Sequence, residues 1–517
     1  MDLSRSAASA DIALLLEGTF PYVSGGVGAW VSQIIQAFPE HTFAIVFLGG
    51  RREDYGAPHY ELPANVVHFE EHYIHEPPVL SSVRGVTGKR EVYERVAAMH
   101  DSLRTGKDMG VVGRLLRNMI PMMTGNGDLS EQQFMHSKRS WDFITQEYEK
   151  YCTDPSFTDY FWTVRIIHKP IWQLVRICEN LIPAKVYHTV STGYAGFLGA
   201  LLQLRTNRPL LVSEHGIYTK ERKIDLLQSQ WIRDNRGMFE KDISQVSYFQ
   251  DMWIRFFQAM GSICYESASD IVALFEGNRQ RQLSDGAPEA KTHVIPNGIS
   301  IAKFAPLRSQ RTEEIPLVVA LIGRVVPIKD IKTFIRAIFI ANRKLPNVQG
   351  WIIGPETEDG EYARECHELQ VSLGMHESVK FLGFKKIDAL LPQVGLVALT
   401  SISEGLPLVV LEAFAAGVPV VTTDVGSCRE LIEGVDAADR ALGAAGSVVQ
   451  IANPESFADA IVDLLSSPEQ WYAAQAAGIA RVERYYTDTL MEESYSGLYR
   501  KLLFGPSEDI KPGVAGS

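Results

Sequence analysis

Cysteine is scarce in this sequence: five in 517 residues, Cys152, Cys178, Cys264, Cys366 and Cys428, none paired at Cys-x-x-Cys spacing. That argues against a disulfide framework and leads us to expect a reduced, cytoplasmic protein. Long apolar runs are missing too, since no stretch approaches the roughly 18 residues a spanning helix needs. The opening MDLSRSAASA has no apolar segment of signal-peptide type, which is again the expectation for a cytoplasmic chain. Positive charge is the third shortage, with 50 Lys and Arg against 62 Asp and Glu and a net charge of −12. No nucleic-acid partner is expected, and any polyphosphate ligand must be held by a local cluster of donors.

What is present is ordinary globular material, 46% hydrophobic and 22% charged, long enough for two large domains. Strand-then-helix alternation runs through both halves. "DIALLLE" (11–17), "FAIVFLG" (43–49), "KVYHTV" (185–190), "PLLVSEH" (209–215) and "DIVALF" (270–275) read as short strands in the first half. "IPLVVALIG" (315–323), "VQGWIIG" (348–354), "VKFLGF" (379–384), "GLVALTS" (395–401) and "VPVVTTD" (418–424) do so in the second. Such alternation predicts an α/β protein with parallel sheets covered by helices on both faces. The polar, Pro/Gly-containing stretch 295–314 is the natural boundary. Two doubly wound, Rossmann-like domains facing each other across a cleft would bind ligands at the carboxyl ends of their strands.

The stretch "SISEGLPLVVLEAFAAGVPVV" (401–421) sets Glu404 in a loop and Glu412 inside an almost wholly apolar helix. Pro407 suits the helix start and Gly417 its end. Leu408, Leu411, Glu412 and Ala415 then share one stripe, an expensive place for a bare charge. Glu412 is either a buried carboxylate satisfied by an internal partner or a group that receives a ligand. The order along the segment is carboxylate, free helix amides, carboxylate. A nucleotide-sugar offers sugar hydroxyls, diphosphate and ribose hydroxyls in the same order.

Phosphate-binding candidates follow the first strand of each half. Gly25, Gly26 and Gly28 lead from a strand into a helix, where glycine lets amides approach an anion, although the pattern is not GxGxxG. In "GRVVPIKD", Arg324 follows a strand directly and Lys329 comes just before Asp330, which is placed to cap the next helix. A planar fork and a point charge converging at one strand end suit a diphosphate. No DxD motif follows a strand, so neither a metal nor a further cofactor is expected; the two cations and the helix N-terminus would neutralise the leaving group.

Gly323-Arg324 with Lys329, Glu404-x7-Glu412 and "TTDVGSCREL" resemble the GT-B family 4 retaining glycosyltransferases. With "EGTFPYVSGGVGAWV" and "SEHGIYTKER", residues 10 to 505 resemble the PelF type, which serves Pel exopolysaccharide synthesis. The resemblance implies transfer of a hexose or N-acetylhexosamine from a UDP-sugar to a polysaccharide acceptor, with inner-membrane Pel synthesis proteins as partners. Arg324 and Lys329 would grip the diphosphate, Glu412 the ribose hydroxyls, and Glu404 the donor sugar beside the amides of Gly405 and Leu406. His215 would approach the sugar hydroxymethyl group, and Phe384 and Lys385 would stand at the base. "PETED" (355–359) departs from the family's usual GDGP-like turn, and Ser427-Cys428 from its usual small residues. The implied plan is an N-terminal domain over 1–297 with a helical insertion at about 71–180, a nucleotide-sugar domain over 310–485, and a last helix, 486–505, packing back on the N-terminal domain. A GDP- or ADP-sugar enzyme, or a non-catalytic nucleotide-sugar-binding scaffold, stays open.

Within the insertion, "GVVGRLLRNMIPMM" (110–123) lines up Val111, Val112, Leu115, Leu116, Met119 and Ile120 on one helical face. Packing onto the N-terminal domain is expected ahead of an interfacial or partner-binding role.

Overall fold

Segments apolar along their whole length belong where both faces are covered, and the chain builds two such sheets. The computed structural model describes residues 3, 5–23, 25–75, 86–105, 109–125, 127–229, 232 and 246–505. It divides into two compact units, Met1–Val294 with Ser496–Ser517, and Ile295–Tyr495.

The N-terminal sheet holds β1 (Ala10–Glu17), β2 (Phe43–Gly49), β3 (Val66–Tyr73), β4 (Ala184–Thr189), β5 (Leu210–Glu214), β6 (Asp270–Ala273) and β7 (Thr292–Val294). They lie in the order β3-β2-β1-β4-β5-β6-β7, every pair parallel. The C-terminal sheet holds β8 (Val318–Ile322), β9 (Gln349–Ile353), β10 (Val379–Gly383), β11 (Leu396–Leu399), β12 (Val420–Thr423) and β13 (Gly446–Val449). Its order is β10-β9-β8-β11-β12-β13, again parallel throughout. Strand order reverses between β1 and β4 in one sheet and between β8 and β11 in the other, and such points are where doubly wound sheets hold ligands.

Three of these strands escape the sequence reading: β3, β7 and β13. All three are sheet edges, where one side lacks a neighbour and the residues are largely half-buried, so no continuous apolar run marks them. Because β3 runs to Tyr73, residues 71–73 belong to the sheet and not to the insertion.

Among the described residues between β3 and β4 come five helices, Arg90–Thr105, Met109–Met123, Glu131–His136, Lys138–Tyr151 and Phe157–Asn180. The apolar stripe of the second is core. Val112, Leu116, Met119 and Ile120 are buried in one cluster with Leu198 and Leu202 of the helix Tyr194–Thr206 and Ile263 of the helix Tyr248–Ser267. The last helix, Asp488–Phe504, brings Tyr499 into the N-terminal unit, its hydroxyl 2.7 Å from His188 Nδ1. No described helix is long and apolar enough to cross a membrane.

In the C-terminal unit, Asp330 caps the helix Ile331–Lys344 by accepting the Thr333 N–H at 3.2 Å. Ile331, Phe334, Ile335 and Ile338 of that helix are buried against the sheet. Arg481 of the helix Pro468–Tyr485 is wholly buried, donating to Asp439 Oδ1 (2.6 Å) and to the carbonyls of Leu431, Ile432, Asp439 and Gly443. Burying an arginine is tolerable only with this degree of pairing.

Candidate active site

The loops after β8 and β11, neighbours at the C-terminal switch point, are joined by a backbone and a side-chain hydrogen bond. Ile402 N–H donates to Ile328 O at 2.8 Å, and Thr400 Oγ1 donates to Lys329 O at 2.8 Å. This places Lys329, in the 3-10 turn Pro327–Lys329, against Glu404. Lys329 Nζ donates to Glu404 Oε1 at 2.5 Å, and Ser401 Oγ donates to the same oxygen at 2.5 Å. Both charged side chains are mostly covered, at 19% and 13% exposure, so the pair is little screened.

Arg324 has a different partner. Its Nη1 lies 2.5 and 2.6 Å from the two carboxylate oxygens of Glu358, in the "PETED" loop beyond β9, with both side chains half exposed. The two cations expected to converge are thus each held by their own carboxylate. Glycine is required where β8 and β9 end, because a Cβ on Gly354 would lie 1.9 Å from Gly323 O.

The helix Leu408–Ala415 starts at Pro407 with no side-chain cap, and in its first turn Val410 N–H donates to Pro407 O at 3.1 Å. It ends where Gly417, at φ +72°, donates to Phe414 O and Val418 donates to Ala413 O, a closure that needs left-handed backbone. Leu411 is buried, while Leu408 and Glu412 are half-buried. Among the described residues no hydrogen bond or ion pair reaches the Glu412 carboxylate, and the nearest charges, Lys303 and Asp388, pair with each other at 3.6 Å. Burial pushes its carboxyl up to about 7; Lys303 draws it down and Asp388 pushes it further up. The internally paired alternative for Glu412 therefore loses its support.

Gly405 and Leu406 are clamped from behind. Ser427 donates both its N–H and its Oγ to Gly405 O at 3.0 Å, and Gly426, at φ +55°, leaves no room for a Cβ, which would come 2.4 Å from Glu404 O. Ser401, Glu358 and this Gly426-Ser427 clamp contact the candidate residues and are not singled out as site residues by the sequence reading. Ser401 stands three residues from Glu404 and could have been weighed, whereas the others depend on strand order. Phe384, following β10, is 81% exposed and is not core; Lys385 beside it is exposed as well.

In the N-terminal unit the helix Gly26–Ala37 begins at Gly25 without a side-chain cap, and nothing stands within 4 Å of where a Gly25 Cβ would be. The same helix carries Trp30, whose ring meets that of His215 edge-on at 4.5 Å between centroids. His215 follows β5. Burial lowers it to about 3, so the ring is neutral, and its buried Nε2 has no partner among the described residues. It is not a satisfied core histidine. Its neighbour Glu214, fully buried and raised by burial, accepts from Thr192 Oγ1 (2.8 Å), Tyr218 N (3.1 Å), Tyr265 Oη (2.6 Å) and Gln282 Nε2 (3.1 Å), which fixes the turn that presents His215.

Residues 10–290 match the family described as "Domain of unknown function (DUF3492)", and residues 316–467 match "Glycosyl transferases group 1". A D-inositol 3-phosphate glycosyltransferase of Corynebacterium urealyticum is 28% identical over 266 residues, 48% of this chain and 61% of its own length. The Corynebacterium glutamicum protein of that name is 24% identical over 386 residues, 63% of this chain and 86% of its own. A GDP-mannose-dependent alpha-(1-6)-phosphatidylinositol monomannoside mannosyltransferase of Mycobacterium tuberculosis is 28% identical over 229 residues, 41% of this chain and 56% of its own. The chain thus spans less than two thirds of the first of these relatives. Among solved structures, Anabaena HepE in complex with UDP and glucose aligns with TM-score 0.54 at 16% identity, over 94% of this chain and 99% of that one. Sucrose-phosphate synthase from Thermosynechococcus elongatus gives TM-score 0.56 at 16% identity, over 95% and 99%. At such identities the likeness is one of fold, and that fold is GT-B.

Proposed function

From a chain that belongs to the DUF3492 domain family and carries a glycosyl transferases group 1 domain, we infer a retaining glycosyltransferase that passes a hexose or N-acetylhexosamine from a UDP-sugar to a growing exopolysaccharide. The observation that carries this reading is the switch-point cluster: the Lys329–Glu404 pair, a helix N-terminus without a side-chain cap, and Glu412 with no hydrogen-bond or ion-pair partner among the described residues. Lys329 and Arg324 are the cations for the donor diphosphate, Arg324 by exchanging Glu358 for phosphate oxygens. Glu412, ionised, accepts from the ribose hydroxyls. Glu404 and the Gly405 and Leu406 amides face the sugar, and the exposed Phe384 and Lys385 are the candidates for the base.

In the N-terminal unit, Gly25 and Gly26 stand at the start of the helix as the candidate anion contacts, with the Gly25 N–H exchanging its long bond to Tyr60 Oη (3.5 Å) for the anion. The neutral His215 offers its Nε2, without a partner among the described residues, to a sugar hydroxyl. As the bond to the anomeric carbon breaks, the cations and the helix N-terminus stabilise the charge left on the diphosphate. The acceptor hydroxyl attacks from the face the diphosphate leaves, and the departing phosphate oxygen takes its proton. No metal enters this scheme. The Pel pathway, with inner-membrane partners and a peripheral cytoplasmic location, is the setting suggested by the sequence motifs.

Titrating the full chain with UDP-, GDP- and ADP-glucose and with GDP-mannose tests the donor. UDP-glucose binding tightest is the expected result. The GDP-mannose-dependent relative from Mycobacterium tuberculosis makes GDP the second reading, and tighter binding of a GDP-sugar would replace the first.

A further inference from the structure

Glu71, on the edge strand β3, gathers three donors onto one carboxylate. Tyr22 Oη donates to Oε2 at 2.6 Å, Tyr73 Oη donates to the same oxygen at 3.1 Å, and Arg52 donates to Oε1. Tyr55 completes the group, its ring 5.8 Å from that of Tyr22 and 6.1 Å from that of Tyr73. The Arg52 guanidinium lies 5.5 Å above the Tyr73 ring. The rings can lean over the sheet end because residue 49 is glycine: a Cβ there would stand 2.7 Å from Tyr55 and 2.9 Å from Tyr73. Together these side chains line an open cleft of about 520 Å³, within the range of small-ligand sites. The cleft lies wholly in the N-terminal unit, at a sheet edge, and shares no residue with the donor cluster of the C-terminal unit.

We propose that this cleft binds a saccharide. A pyranose has apolar C–H faces and a rim of vicinal hydroxyls. Tyr22 and Tyr55 are half-buried and held by their own hydroxyl bonds, so what apolar surface they offer the cleft comes at low entropic cost, while Tyr73 is buried with Arg52 over its ring. The Arg52–Glu71 pair sets a forked donor beside an acceptor, which suits two adjacent hydroxyls. Arg52 is 71% exposed, so the guanidinium N–H groups not used on Glu71 face the cleft opening or solvent. A tight apolar ligand does not match a cleft with a charge pair in its wall, and a phosphate does not match its carboxylates.

The choice of saccharide as occupant rests in part on the proposed function, and the test separates the two. The full chain is titrated with cellotetraose, with the tetramer of N-acetylglucosamine, and with UDP. Binding of at least one tetrasaccharide is expected, weakened about tenfold or more in Arg52→Ala and in Glu71→Gln, with UDP affinity unchanged in both. Failure of the wild-type chain to bind either tetrasaccharide, or equal binding by the variants, overturns the inference. If a variant also loses UDP, Arg52→Lys, which keeps the charge but not the fork, decides by the same criterion. A wild-type chain that binds saccharide but no nucleotide would remove the donor reading and leave the cleft standing.

Discussion

Glu404 Oε1 is shared between Lys329 Nζ and Ser401 Oγ, each 2.5 Å away. The carboxylate thus neutralises the ammonium group proposed for the diphosphate while keeping its second oxygen for other contacts. Glu404→Gln should leave UDP binding equal or tighter, because Lys329 keeps its charge and loses its anion. Transfer from UDP-glucose should fall by roughly a hundredfold, as for loss of one group that acts in the transition state. Calorimetric titration with UDP beside initial rates separates the effects. Weaker UDP binding by a well-folded Glu404→Gln would assign the carboxylate to the nucleotide instead.

Glu412 should make both stability and donor affinity depend on pH. Its carboxyl is pushed up to about 7 by burial, above the ordinary value of about 4.3, so the folded state favours the protonated form. That contribution is fully present below the unfolded value and is lost as pH rises through about 7. The ligand-free protein should therefore melt at a lower temperature at about pH 8 than at about pH 6, and Glu412→Gln should flatten that difference. Affinity for UDP-glucose should run the other way, rising over the same window as the carboxylate becomes able to accept the ribose hydroxyls. Parallel melting curves and titrations check both signs; donor affinity independent of pH would detach Glu412 from the ribose.

Glu412→Ala should weaken UDP binding by about 1.5–3 kcal/mol, the range for hydrogen bonds to a charged group. If UDP binds this variant normally and only the melting point drops, the side chain serves the fold alone.

Gly426→Ala should disable the site from behind. The residue sits at φ +55° and its Cβ would press on Glu404 O and Gly405 O at 2.4 and 2.5 Å. Left-handed backbone costs a residue with a Cβ about 1–2 kcal/mol, and the clash must be relieved by shifting the loop that carries Glu404. Turnover should fall more than tenfold, for a displacement of this kind alters transition-state contacts. Wild-type turnover in this variant would show that the clamp does not hold the loop in place.

Arg481→Met should destabilise the C-terminal unit by about 3–5 kcal/mol, since it leaves Asp439 charged in the interior. Asp439 is 2% exposed, and its carboxylate would keep the Val435 N–H at 3.0 Å but lose the guanidinium. Urea unfolding of Arg481→Met beside Arg481→Met/Asp439→Asn measures how much is the stranded charge; equal losses in both would assign the effect to packing.

Treatment with EDTA should leave sugar transfer unchanged, because the proposed charge stabilisation comes from Lys329, Arg324 and helix amides. Activity lost on chelation and restored by Mg²⁺ would contradict it.

The sequence by itself determined what depends on near neighbours along the chain. Apolar runs such as "VVALI" and "LVAL" mark β8 and β11 because both faces of each are buried. Asp330 and Gly417 mark helix ends because capping and left-handed backbone are chemical requirements of one residue. The Glu404-to-Glu412 spacing was legible for the same reason. Only the tertiary structure decided the rest. Strand order β9-β8-β11 brings Glu358 to Arg324 from 34 residues away and Glu404 to Lys329 from 75, and with 62 acidic residues in the chain no local pattern names the partner. Edge strands β3, β7 and β13 are too incompletely covered to carry a continuous apolar run, whereas β10, also at an edge, keeps enough of one to be read, and β3 is also where Tyr22, Arg52 and Tyr73 meet Glu71. Charge pairing and edge placement are set by which strands become neighbours, a property of the packed chain and not of any segment of it.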